Sequence, residues 1–459
     1  MYSGKELHEE CGVFGVWNVP NAAELTYYGL HSLQHRGQEG CGIVSVSESG
    51  KLERIKGQGL VTEIFNNQNL ATLKGNSAIG HVRYAPLDAN TIENVQPFLF
   101  RHGSGDFALA HNGSLVNSKQ LRDELELQGS LFQSSSDSEI LAHLMKKTPM
   151  SHDAPRIYVL IEALNRLEGA FSFLLMTKNR IYACRDKNGF HPLSIGKVGE
   201  NGYVVSSETC AFSTCGVEFI RDVEPGEIVT IDHHGIRSNF YNENTHHNMC
   251  AMEYIYFARP DSDIDGVNVH AYRKESGRIL YREQPADADI VIGVPDSSLS
   301  AAMGYAEESG LPYEMGLLKS KYIGRTFIQP SQELRDKGVR MKLSAVKGIV
   351  KGKRVVVVDD SIVRGTTSLR IINMLRDAGA TEVHMRIASP MFKLPCYYGV
   401  DVTSHDELLC ARCSLDEACK AINADSLGFL SEEGLYKAGK RCELCTGCFT
   451  GKYPTKIYK

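Results

Sequence analysis

The 459-residue chain lacks any apolar run near the ~18 residues that a membrane-spanning helix requires. Its longest strand-like runs, such as residues 355–358, stop at charges. The first ten residues, MYSGKELHEE, lack the apolar stretch of a secretory signal. There is no surplus of positive charge: 50 Lys and Arg stand against 55 Asp and Glu, a formal net charge of −5. That balance offers no electrostatic footprint for nucleic acid or an anionic membrane. No internal repeat, no low-complexity segment and no GxxxxGK[ST] Walker loop occurs. These absences leave a soluble, cytoplasmic globular protein. With 42% hydrophobic and 23% charged residues its composition is ordinary. At a soft prior of ~150 residues per domain, the length predicts two or three domains.

Cysteine is plentiful, and a chain of this length has no need of disulfides. Of 13 cysteines, five are scattered before residue 216 and six crowd into residues 410–448. The crowded set contains Cys410-x-x-Cys413 and Cys442-x-x-Cys445-x-x-Cys448. In a cytosolic protein such spacing points to metal or cluster ligation. The scattered Cys41, Cys184, Cys210 and Cys215 are expected to be small core residues.

The first half reads as short β-rich runs bounded by Gly, Asn or Asp, among them CGVFGVW, CGIVSV, SAIGHVRY, DFALAHNG and FSFLLMT. Helical periodicity is found at residues 23–35, 118–128, 136–146 and 156–167. Clustered strands with helices grouped around them predict layered antiparallel sheets, an α+β domain. From residue 289 the pattern becomes strand, turn, helix, repeated, with near-continuous apolar strands such as DIVIGVP and RVVVVDD. This predicts a doubly wound parallel sheet, an α/β domain, followed by a Cys-rich C-terminal tail. The polar stretch 235–249 is the expected seam, dividing the chain into residues 11–245 and 246–459.

The run VVVVDDSIVRGTTS, residues 355–368, delivers Asp359 and Asp360 to the end of a buried strand. After them come Ser361 and a turn with Gly365, and a helix then opens with Thr366, Thr367 and Ser368. Backbone N–H groups, a helix N-terminus and hydroxyls there surround one phosphate-sized anion. The carboxylates suit ribose hydroxyls or Mg²⁺. The whole run resembles the fingerprint of the phosphoribosyltransferases that bind phosphoribosyl pyrophosphate (PRPP). A second strand end, Gly293-Val-Pro-Asp-Ser-Ser298, is an ordinary βα turn taken alone. By the resemblance, Ser297 joins Asp359 and Asp360 in the Mg²⁺ neighbourhood. The basic, Gly- and Pro-punctuated segment 319–342 is either a solvated loop or a lid whose cations meet a polyphosphate.

The other signal is HEECGVFGVW followed by LHSLQHRGQEG. Were the leader removed, Cys11 would carry a thiol beside a free α-amine of unperturbed pKa ~7.7–8, a serviceable general base. Nucleophile and base would then share one residue. The arrangement is similar to the N-terminal-nucleophile glutamine amidotransferases, whose other motifs follow in order: Arg36-Gly37, Gly80-His-Val-Arg-Tyr84, His111-Asn-Gly113 and Ser135-Ser-Asp-Ser138. The resemblance implies that Arg83 holds the glutamine α-carboxylate and Asp137 its α-amino group, with Arg36 also at the glutamine site. Asn112 and the Gly113 N–H would form the oxyanion hole. The residue types suit those roles. One departure is local: where the family runs Ser/Ala-Thr-Ala/Gly-Gly after the Arg-Tyr pair, this chain has Ala85-Pro86-Leu87-Asp88.

Taken together, glutaminase motifs before a PRPP cradle and tail cysteines resemble the iron–sulfur branch of the glutamine PRPP amidotransferases, over essentially the whole chain. The resemblance implies that residues 1–10 are a propeptide and that ammonia from glutamine displaces pyrophosphate from C1 of PRPP. It further implies homotetramers or homodimers inhibited by purine nucleotides, and a [4Fe–4S] cluster held by Cys250, Cys396, Cys445 and Cys448. A Cys₄ zinc site of Cys410, Cys413, Cys445 and Cys448 stays open, as does a role for Cys442. Two rival functions also stay open. One is an amidotransferase sharing only the glutaminase half, which the acceptor eliciting glutamate release would reveal. The other is a PRPP-sensing regulator without catalysis, although no helix-turn-helix stretch is evident.

Overall fold

Alternating small and apolar residues build thirteen strands among the described residues of the first half of the chain. The structure, a computed structural model, describes residues 11–84, 91–103, 105–148, 155–320, 343–400, 402, 404–439 and 443–458. The strands are β1 (Gly12–Trp17), β2 (Gly40–Val46), β3 (Leu52–Gly57), β4 (Ser77–Arg83), β5 (Phe98–Phe100), β6 (Phe107–Leu115) and β7 (Gly169–Thr177). They continue with β8 (Arg180–Arg185), β9 (Ser194–Val198), β10 (Gly202–Ser206), β11 (Glu218–Asp222), β12 (Glu227–Asp232) and β13 (Gly235–Phe240). One sheet has the order β11-β9-β10-β1-β4-β2-β3 and the other β13-β12-β8-β7-β6-β5.

The two sheets face each other across a core that includes Val13, Ile79, Ala108, Ala110, Leu174 and Val229. Side chains one residue along each strand point the other way. Phe14 and Val16 therefore pack under the helix Ala22–Ser32. Phe171, Phe173 and Leu175 pack under the helices Ser118–Leu127, Glu139–Lys147 and Arg156–Asn165. The central strands of both sheets are covered on both faces, which is why they read as apolar runs. Two expectations shift. The helix expected from residue 136 starts at Glu139, and residues 235–240 of the expected seam form β13, paired with β12.

The second half begins with β14 (Met249–Cys250), a π-helical turn at Glu253–Phe257, the hairpin β15 (Asp263–Ile264) and β16 (Val267–Asn268), and the helix Val269–Glu283. A parallel sheet follows in the order β17 (Ile290–Gly293), β20 (Arg354–Asp359), β21 (Glu382–Ile387), β22 (Ser426–Phe429). Val356 and Val358 face a cluster with Tyr305 and Leu280, while Val355 and Val357 face one with Ile371 and Leu375. The sheet is thus covered on both sides, as near-continuous apolar strands require. The pair β18 (Leu317–Lys319) and β19 (Leu343–Ala345) is antiparallel and stands outside this sheet. The Cys-rich end is folded into the domain: β22 extends the main sheet, and β23 (Leu444–Cys445) pairs in parallel with β14. No described helix is long and apolar enough to cross a membrane. The leader 1–10, residues 85–88, Cys442 and nearly all of the basic segment 319–342 lie outside the described residues.

Candidate active sites and cluster ligands

Cys11 precedes β1, whose start is fixed by Val13 N–H donating to Ser207 Oγ at 2.9 Å. Its thiol is directed at the Tyr84 carbonyl, 3.7 Å away, beyond the end of β4. A cavity of about 410 Å³ is lined by Cys11, Tyr84, Asn112 and Gly113. Asn112 is fully buried, and both its amide nitrogen and its amide oxygen have no hydrogen-bond partner. An orphaned buried amide is rare and asks for a ligand. Gly113 takes φ 135°, and a Cβ there would sit 2.2 Å from the Ala170 carbonyl oxygen on β7. Only glycine permits the strand to turn its backbone there.

Arg83, at the end of β4, is buried, and this lowers its pKa; negative charge at Cys11 and Glu39 acts in the opposite sense. Asp137 accepts from Leu115 N–H at 2.8 Å, and His111 Nδ1 lies 3.6 Å from its other oxygen. Burial works to raise its pKa, but His111, Leu115 and Ser138 outweigh it and hold the group below the ordinary carboxylate value. His111 itself stacks on Phe173 and meets Ser138 Oγ at 2.8 Å. The sequence singled out Asp137 but not these supports.

Arg36, expected at the glutamine site, is not among the residues lining the Cys11 cavity; its side chain crosses to a pair of buried carboxylates. Nη1 reaches Glu208 at 2.6 Å, Nη2 reaches Glu253 of the second domain at 2.6 Å, and Nε donates to the Cys11 carbonyl at 3.0 Å. Burial alone would raise the Glu253 pKa, yet Arg36 and His191 bring it down to about 2. Glu208 also accepts from Ser262 Oγ and from Arg259 N–H of the second domain. His35, Glu208 and Cys210 bring three donor atoms together. With the guanidinium on Glu208, that cluster is an ion-pair network and not a cation site.

At the C-terminal edge of the parallel sheet, a second cavity of about 590 Å³ is lined by Asp359, Asp360, Ser361 and the turn 364–368. Gly365 takes φ 77° as N-cap of the helix Thr366–Asp377, with no side chain capping that end. Its first-turn N–H groups are therefore open to an anion, together with the Thr366 and Thr367 hydroxyls. Asp359 accepts from Ser298 Oγ at 3.0 Å, and Asp360 from Ser361 Oγ at 2.7 Å and from Ser297 Oγ. Burial raises the Asp360 pKa, with those hydroxyls and Arg273 offsetting it in part. Two buried carboxylates side by side at the end of a strand suit a divalent cation. Arg273, buried with its Nε on the Tyr254 carbonyl, had no sequence signal beyond its place in a helix. His35 and Gln38 of the first domain line this cavity too, just as Cys396 and Tyr397 of the second domain line the first.

In the β14–β23 pair Cys250 stands directly beside Cys445, and Cys445 and Cys396 are near enough to Cys448 to raise its thiol pKa further after burial. The four thiols are free of disulfides. With Cys396 and Cys445 close to Cys448 and Cys250 on the strand beside Cys445, the four residues are of the kind a cubane cluster takes. Cys410 and Cys413 belong to a different apolar cluster, around Ile371 and Leu375, and burial pushes the Cys410 thiol up to about 11. The structure therefore does not bring together the alternative zinc set.

Two family descriptions match the chain, a glutamine amidotransferase domain at residues 81–214 and a phosphoribosyl transferase domain at residues 275–401. The amidophosphoribosyltransferase of Bacillus subtilis (strain 168) is 56% identical over 462 residues, spanning 99% of this chain and 96% of its own. The chain belongs to the amidophosphoribosyltransferase family. That of Staphylococcus aureus (strain Mu50) is 53% identical, covering 100% of this chain and 93% of its own. The solved B. subtilis glutamine PRPP amidotransferase, in complex with ADP and GMP, superposes with a TM-score of 0.92 at 55% identity, covering 98% of each chain. A structure described as the allosteric regulatory enzyme of purine biosynthesis gives 0.93 at 55% identity, covering 98% of this chain and 97% of that one. Membership in the family places a glutaminase and a phosphoribosyltransferase on one chain, and the two cavities lie in the corresponding halves.

Proposed function

We propose that the chain is a glutamine-dependent amidophosphoribosyltransferase acting in purine biosynthesis, with glutamine in the Cys11 cavity and PRPP in the cavity over Asp359 and Asp360. The observation that carries the assignment of glutamine is the buried amide of Asn112, polar on both atoms and unpartnered. Removal of residues 1–10 frees the Cys11 α-amine. That amine takes the thiol proton as Sγ attacks the side-chain amide carbon of glutamine, held by Arg83 at its carboxylate and Asp137 at its ammonium. The carbonyl oxygen becomes an oxyanion facing Asn112 Nδ2 and the Gly113 N–H. Collapse breaks the C–N bond, the α-ammonium returns its proton to the departing nitrogen, and ammonia leaves a glutamyl thioester. Water then releases glutamate and regenerates the thiol.

In the second cavity, the N–H groups and hydroxyls of Thr366, Thr367 and Ser368 hold a phosphate, with Gly365 shaping the turn and Ser361 at its rim. Asp359 and Asp360 face the ribose hydroxyls. Mg²⁺, held near Asp359, Asp360 and Ser297, would neutralise the pyrophosphate leaving group. Ammonia attacks C1 as the C1–O bond to pyrophosphate breaks, giving 5-phosphoribosylamine. The two-domain lining of both cavities supports internal passage of ammonia between them. Cys250, Cys396, Cys445 and Cys448 would hold a [4Fe–4S] cluster at the domain seam. Assembly as a homodimer or homotetramer, inhibition by purine nucleotides and a cytoplasmic setting belong to the same reading, the second in keeping with the nucleotides bound to the B. subtilis relative.

A competition experiment tests it. Glutamine carrying ¹⁵N in its side-chain amide, supplied with PRPP and excess unlabelled ammonia, should place ¹⁵N in the product well above its share of the free pool. Full dilution into that pool would contradict internal passage, and no labelled product without added ammonia would contradict the whole assignment.

A further inference from the structure

Part of the Cys11 cavity wall comes from the far end of the chain. Ile457 and Tyr458 line it, beside Tyr397 of the loop that carries Cys396. The segment bearing them is fastened at both ends. On the second domain, Tyr453 Oη donates to the Pro395 carbonyl at 2.6 Å, and Tyr398 Oη accepts from Thr455 N–H at 3.1 Å and meets Thr455 Oγ1 at 2.9 Å. On the first domain, Ile457 packs against a cluster that includes Ala170 and Phe190, and the Tyr458 hydroxyl lies near the Glu168 carboxylate. Glu168 is itself fixed, its N–H on Asn117 Oδ1 at 3.1 Å and its carbonyl on Val116 N–H at 2.9 Å. The segment thus runs from the cysteine loop onto the strand end that presents Asn112 and Gly113.

We propose that residues 453–458 form a strap that completes the glutamine pocket, with Ile457 and Tyr458 as positioning residues for the glutaminase step. The inference rests on the reading of Cys11 as the glutaminase nucleophile. Arg83, Asp137 and Asn112 address the polar ends of glutamine, and its two methylenes need an apolar wall. Leu115, Val116, Val400 and Ile457 supply one. Closing that wall also keeps bulk water from the newly formed ammonia. None of the strap residues lines the PRPP cavity, so their loss should separate the two half-reactions.

The test uses the full-length enzyme, purified anaerobically, with Ile457→Ala, Tyr458→Phe, the double Ile457→Ala/Tyr458→Ala variant and a Cys11→Ala control. Three quantities are read: KM for glutamine, the rate of Cys11 alkylation by the glutamine-shaped diazoketone 6-diazo-5-oxo-norleucine, and synthesis supported by ammonia in place of glutamine. The double variant is expected to raise KM and slow alkylation by about tenfold each, with ammonia-supported synthesis within about twofold of the parent. Tyr458→Phe, which loses only the hydroxyl near Glu168, is expected to shift KM by about threefold. Unchanged KM and alkylation in the double variant would overturn the proposal. So would a parallel fall in ammonia-supported synthesis, which would reduce the strap to a brace between domains. Glutamine-supported synthesis surviving in Cys11→Ala would instead remove the reading on which the proposal stands.

Discussion

Replacing Asn112 with alanine should cost rate and spare stability, an unusual combination for a fully buried residue. In the free enzyme, both polar atoms of its amide are buried without a partner. Leaving such a group unsatisfied costs about 1–3 kcal/mol, so the folded protein carries Asn112 at a loss until an oxyanion forms. Removing one oxyanion-hole donor is expected to lower kcat for glutamate release by about 10²–10³-fold, equivalent to about 2.7–4 kcal/mol. The proposed glutamine anchors Arg83 and Asp137 are untouched, so KM should move by less than about threefold. The lost packing of a small polar side chain is offset by removal of the orphaned amide, and unfolding free energy should change by less than about 1 kcal/mol. Single-turnover glutamate release and denaturant unfolding on the same preparation measure both sides. A variant that keeps its rate within about tenfold but loses more than about 2 kcal/mol of stability would show Asn112 to be a packing residue and refute the reasoning.

Other substitutions probe the remaining geometry. Gly113→Ala drives a Cβ to 2.2 Å from the Ala170 carbonyl in a left-handed backbone region, and should abolish glutaminase activity while leaving ammonia-supported synthesis measurable. Glu253→Gln breaks a fully buried ion pair with Arg36 and should destabilise the enzyme by about 3–5 kcal/mol in chemical unfolding. The Glu253 pKa is depressed in the folded state, to about 2 from an ordinary 4.5, so its contribution is complete above the ordinary value and lost as pH falls toward the depressed one. A stability titration should therefore decline through that acidic window, and less steeply in Glu253→Gln. Asp360→Asn should weaken Mg-PRPP binding by at least about tenfold while leaving Cys11 alkylation unchanged, read by calorimetry and mass spectrometry respectively.

What was legible in the sequence is what is contiguous in the chain. Residues 355–368 carry strand, carboxylates, turn and helix start in one run, so local spacing already builds the cradle. Most strands of the first domain were legible because they are bounded by turn residues and largely buried. The ion pairs of Arg36 were not legible because they are made with Glu208 and Glu253, 172 and 217 residues away, and no local pattern announces a buried ion pair. The pairing of Cys250 with Cys445 is a register between two-residue strands too short to carry periodicity. The same holds for Ile457 and Tyr458, whose place beside Cys11 follows only from the docking of the two domains. Strand β13 was hidden for another reason: as an edge strand exposed along much of its length, it has a polar composition that reads as linker.

The coupling of two sites on one chain is the central claim, and glutamate release measured with and without Mg-PRPP tests it most directly. With residues 1–10 verified as removed and a Cys11→Ala control alongside, release should be stimulated by Mg-PRPP and absent in the control. Release indifferent to Mg-PRPP would leave a glutaminase at Cys11 but contradict the coupling to the second cavity. Release that persists in the Cys11→Ala control would contradict the glutaminase assignment itself.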